Sequence, residues 1–89
     1  MVQESVIPFI LRRNLGLTQE KFGLLFGVHA MTVSKWERGV LSPNYYQMAL
    51  MQAFKRISEE KDVRKTVNRI LIGEGVIATI YFLLKYGRF

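Results

Sequence analysis

Apolar residues recur at helical spacing along most of the chain, and glycines and capping residues cut that periodicity into short segments. In "VIPFILRRNLG", Pro8 stands where a first helical turn tolerates it, Phe9, Ile10 and Leu11 follow, and Gly16 marks a stop. This predicts a helix over residues 7–14. "LTQEKFGLLFG" opens with Thr18 as N-cap and Glu20 in the first turn, where a carboxylate suits the helix dipole. Phe22 and Leu25 then repeat at helical spacing up to Gly27, a residue able to take the left-handed conformation that turns one helix sharply into another. A third helix is expected over residues 29–37 and ends at Gly39. Val33 and Trp36 share one of its faces, which leaves Ala30, Met31, Ser34, Lys35 and Arg38 on the sides open to solvent or a ligand. Trp36 is the large apolar anchor that so short a helix needs.

The stretch "LSPNYYQMALMQAFKRI" carries Ser42 as a candidate N-cap and Pro43 at the first helical position. Tyr46, Leu50, Phe54 and Ile57 follow at i, i+4, i+8 and i+11, so a long helix ending near Glu59 is expected, with Tyr46 buried and Tyr45 exposed. "SEEKDVRK" is charged and solvated, either a connection or the continuation of a helix. Beyond it, "VRKTVNRILI" places Val63, Val67, Ile70 and Leu71 at helical spacing. After the break "GEG", "VIATIYFLLKY" places Val76, Ile77, Ile80, Tyr81 and Leu84 on one helical face. Its β-branched and aromatic content keeps a β-hairpin centred on residues 73–75 open as the alternative. The fold class expected is all-α, a bundle of four to five helices with a C-terminal apolar dimerisation segment, divided into a domain over residues 1–59 and an extension over residues 60–89.

Thirteen Lys and Arg against seven Asp and Glu give a net charge of +6, which makes a polyanion the leading partner. No cysteine and a single histidine exclude a thiolate or zinc site, and no cofactor or metal is expected. There is no glycine-rich phosphate loop and no nucleophile set at a fixed spacing from a base, so an enzyme is not expected. Residues 1–25 lack a signal-peptide pattern, since Gln3, Glu4, Arg12 and Arg13 interrupt the apolar positions. The longest apolar run, residues 76–84, is about half of the roughly 20 residues a membrane span requires. The expected location is the cytoplasm, at the nucleoid.

Two short helices joined by a tight glycine turn and followed by a capped third have the layout of a helix-turn-helix, whose second helix enters the DNA major groove. Residues 6–57 resemble the lambda-repressor-like, or XRE-type, helix-turn-helix family in "GLTQEKFG" at 16–23, the small Gly23 where two helices cross, the turn Gly27, Val33, and "SKWERG" at 34–39. The resemblance implies that Gln19 bonds a phosphate or braces the recognition helix, and that His29, Ala30 and Met31 face base edges. It adds Ser34 and Lys35 one turn on, Arg38 as a phosphate contact, and a structural pairing of Glu37 with Arg12. Lys35 can donate to guanine O6 and N7, Ala30 and Met31 can touch a thymine methyl, and Ser34 can donate or accept. His29 can equally be a helix-start residue and Met31 a core plug. Known members often carry glutamine at the first recognition positions, and Ala30 and Met31 cannot reproduce its bidentate contact with adenine. Asn44, in the loop after the third helix, is a further candidate for a phosphate.

A single recognition helix covers about four or five base pairs, so regulators of this type read inverted repeats as dimers. Val76, Ile77, Ile80, Tyr81 and Leu84 are the candidate dimerisation residues, unless the segment folds back to complete its own core. The expected function is that of a homodimeric repressor or autorepressor of a bacterial or phage promoter, bound to double-stranded DNA at an inverted repeat. The alternative is an antitoxin or adaptor that works chiefly through a protein partner. Phage-repressor, antitoxin and anti-CRISPR-associated roles all occur among domains of this type.

Overall fold

A computed structural model describes residues 6–86, and these form six helices with no strand among them. The first, α1 (Val6–Leu15), buries Ile7, Pro8, Leu11 and Leu15, a stripe at near-helical period. It lies against α3 (Ala30–Glu37), α4 (Tyr45–Lys55) and α5 (Lys61–Gly73). The second, α2 (Gln19–Phe26), packs on α3 and on α6 (Val76–Tyr86). Phe26 sits between three rings, with centroids 5.0 Å from Phe22, 6.3 Å from Trp36 at an edge-on angle, and 6.2 Å from Phe54. These contacts join α2, α3 and α4 through aromatic edges, a geometry that adds to the area each ring buries. Trp36 is fully buried, as expected of the anchor of an eight-residue helix.

The fourth helix departs from the expectation at both ends. Its N-cap is Asn44 rather than Ser42: the Asn44 side-chain oxygen accepts from the Gln47 amide at 2.7 Å, and the Gln47 side chain accepts from the Asn44 amide at 2.8 Å. This reciprocal box satisfies two otherwise unpartnered amides, which a Ser-Pro start does not. Pro43 is left outside the helix and buried. The inner face is then Met51 and Phe54, and Tyr46, expected to be buried, is 70% exposed. The helix stops at Lys55 instead of Glu59 because the chain turns inward over residues 56–59. There the buried Ser58 hydroxyl donates to Lys55 O (2.9 Å) and accepts from the Asn14 side chain (3.0 Å), so it is satisfied on both counts.

Residues 60–86 form two helices and no hairpin, so the C-terminal segment continues the all-α bundle beyond its first four helices. In α5, Val63, Val67 and Leu71 face the core, while Arg64 and Asn68 donate to the Asn14 and Leu15 carbonyls at 2.7 and 3.1 Å. Those are terminal carbonyls of α1 that lack a helical partner, and the two side chains serve as a cap delivered from a distant helix. In α6, Leu83 and Thr79 are buried, the Thr79 hydroxyl donating to Gly75 O at 2.8 Å. Val76, Ile80 and Phe82 pack beside them at the margin of the core. Burial of one continuous helical face against α2 and α5 outweighs the β-propensity of the individual residues, because that propensity itself measures packing on a half-buried surface.

Candidate nucleic-acid interface

The α2–α3 pair is held together at backbone contact. Thr18 caps α2, its hydroxyl accepting from the Lys21 amide at 3.1 Å, and Gly27 ends it with φ of 71°. The chain re-enters a helix three residues later, after Val28 N has donated to Gly23 O at 2.9 Å. At Gly23 a Cβ atom would stand 2.4 Å from Val28 O, so only glycine allows the helices to approach this closely. Gly23→Ala gains about 1 kcal/mol of helix propensity and loses about 1–3 kcal/mol to the forced separation. A net loss of about 1 kcal/mol, read as a lower urea midpoint at unchanged slope, is the expected result.

Three polar side chains fasten the far end of α3. Glu37, 9% exposed, accepts from Arg12 Nε at 2.6 Å through one carboxylate oxygen. Its other oxygen accepts from Arg12 Nη2 and from Gln19 Nε2, both at 3.1 Å. Arg12 also donates to Leu17 O at 3.1 Å. Arg12 and Glu37, which the resemblance pairs, meet here, and Gln19 donates to the same carboxylate. The start of α2, the turn before it and the last turn of α3 are joined in one network.

With Val33 and Trp36 turned into the core, the opposite side of α3 is free. His29 is the N-cap, makes no side-chain capping bond and is exposed, and Met31 is 67% exposed, so it is not a core plug. Ala30, Ser34 and Lys35 are half-buried beside them. Arg38 is exposed and its Nε donates to the Ser34 hydroxyl at 3.2 Å, which engages the oxygen of a residue expected to read bases. His29, Ala30, Met31, Ser34, Lys35 and Arg38 thus lie along one short helix and its caps. Gln19 reaches them through Glu37. Asn44 stands apart at the start of α4, with its side-chain oxygen used in the capping box and the exposed Tyr45 next to it.

The outward side of α3 and its caps, with one lysine, one arginine, small side chains and a flexible thioether, has the donors and apolar surface for a major groove. A family model described as helix-turn-helix matches residues 10–51, the span from the middle of α1 to the middle of α4. Those residues carry a helix-turn-helix of the lambda-repressor-like type. No curated protein and no solved structure matches the chain significantly. The helix-turn-helix makes the protein a DNA-binding regulator, with α2 and α3 as its two defining helices. Among the described residues no group of His, Asp and Glu side chains is placed to hold a metal ion, and no helix is long and apolar enough to cross a membrane.

Outside the helix-turn-helix match, the structure divides the five apolar residues singled out on α6. Val76 and Ile80 turn towards the core, whereas Ile77, Tyr81 and Leu84 are exposed. Ile72 on α5 is exposed too, and the sequence pattern did not single it out. Its only signal is an isoleucine on the polar side of an otherwise regular amphipathic helix.

Proposed function

We propose that the protein is a homodimeric repressor, acting in the cytoplasm at the nucleoid, that binds an inverted repeat and occludes a bacterial or phage promoter, its own included. The observation that carries this reading is the outward side of α3, whose exposed His29, Met31 and Arg38 flank Lys35 while the other side of the helix is locked into the core. Lys35 and the thymine-contacting Ala30 and Met31 supply base discrimination; Arg38, Asn44 and the amides at the start of α2 grip phosphates. The homodimer is supported by the apolar Ile77, Tyr81 and Leu84, which a monomer leaves in water.

Selection from a randomised DNA pool with the purified protein tests the proposal. An inverted repeat with half-sites about one helical turn apart is the expected product. Lys35→Ala should broaden the recovered motif at one base pair, a loss of about 1–3 kcal/mol of discrimination there, while Arg38→Ala weakens binding evenly across sequences. Equal broadening by both variants overturns that division of roles. Recovery of no motif favours instead an antitoxin or adaptor that acts through a protein partner bound to the exposed face of α6.

A further inference from the structure

The break between α5 and α6 opens a cleft of about 370 Å³ lined by Ile70, Glu74, Ala78, Tyr81, Phe82 and Lys85. Its wall is almost wholly apolar, with a carboxylate at one end and an ammonium at the other. Glu74 and Lys85 are equally far in sequence from the Thr79–Ile80 peptide, and so are the small Ala78 and the large Tyr81. Glu74 has no ion-pair partner among the described residues, and Lys85 Nζ rests 5.6 Å above the Tyr81 ring. Tyr81 is 64% exposed and its neighbour Ile77 85%.

A surface that meets its own copy across a two-fold axis must be self-complementary, with residue i touching j while j touches i. This cleft has that property in both charge and size. We infer that a second copy of the chain occupies it, with the two α6 helices antiparallel about a two-fold axis passing beside the Thr79–Ile80 peptide; the inference rests on the homodimeric reading above. Glu74 then pairs with Lys85 of the partner subunit, and Lys85 with the partner subunit's Glu74. Tyr81 enters the space above the partner's Ala78, a large side chain set against a small one, which lets the helices approach to the usual 8–10 Å. An unrelated ligand has no reason to match a charge and size pattern that is symmetric about one point of α6.

Sedimentation equilibrium of the full chain and its variants tests the arrangement. Glu74→Lys and Lys85→Glu each set like charges opposite one another twice per dimer and should each weaken dimerisation by at least about tenfold. The double variant restores opposite charges with the polarity exchanged and should return the dimer constant to near that of the wild type. Both positions are exposed, and unchanged circular dichroism shows that the fold is retained in each variant. Tyr81→Glu is a second probe, expected to give monomers with the same helical content. A wild-type dimer indifferent to the single changes, or a double variant as weak as the singles, overturns the placement in this cleft and leaves the homodimer standing. A wild-type chain that stays monomeric both free and on DNA overturns the homodimer itself.

Discussion

Glu37→Ala is expected to remove about 3 kcal/mol of folding free energy, because it strands the Arg12 guanidinium in a mostly buried position without its counter-charge. The loss has three parts that fall together. Arg12 forfeits two hydrogen bonds at 2.6 and 3.1 Å, Gln19 forfeits its acceptor, and the cation is held beside Leu17 O with one bond left. A domain of this size has a total stability of about 5–10 kcal/mol. The thermal midpoint should therefore fall by roughly 15 °C, measurable by calorimetry or circular dichroism. Arg12→Met combined with Glu37→Leu should recover most of the loss, since removal of both charges removes the desolvation cost as well as the attraction. If the double variant is as unstable as Glu37→Ala, packing rather than the stranded charge explains the effect.

Affinity for DNA should respond to salt more strongly than to any single substitution. If a dimer displaces counterions from about six phosphates, log K falls with log salt at a slope near −5, and affinity drops about a thousandfold between 50 and 200 mM salt. The basis is the net charge of +6 per chain together with the exposed Arg38 and the positive dipole end at the start of α2. A fluorescence-anisotropy titration at four salt concentrations gives the slope. Arg38→Ala should make it shallower by about two units for a dimer, one per half-site. A slope near zero would show that phosphates contribute little, and the interface assigned to α3 would have to be abandoned.

Much of the helix-turn-helix could be read from the sequence because its signals are local. A threonine three residues before a first-turn amide, a glycine forced into the left-handed region and a glycine at a backbone contact each act within a few residues of themselves. The start of α4 differs from the sequence expectation because two capping arrangements compete there, and the Asn44–Gln47 box lies only two residues beyond the Ser-Pro signal. Tyr46 lies in the first turn of α4, off the face centred on Met51 and Phe54, and so stays in water. Residues 60–86 were harder still. Which side of α6 is inner depends on how α5 packs against α1, and Arg64 and Asn68 there bond carbonyls some fifty residues earlier in the chain. For the site, the sequence marked the outward residues of α3 but not that Arg38 binds Ser34, because a hydroxyl one turn away is as free to cap, donate or face solvent until the helix end is placed.

The close contact at Gly23 and the bracing of Glu37 have a joint consequence for how an operator is fitted. One pins the near end of α3 to the backbone of α2, the other ties its far end to α1, and between them Val33 and Trp36 are clamped in the core. Such a probe does not adjust its pitch to the groove it enters. In the proposed homodimer, a mismatch between the separation of the two probes and the spacing of the two half-sites would then be absorbed by the nucleic acid, as bending or a change in twist. The base pairs between the half-sites, which no side chain touches, then influence affinity through their stiffness.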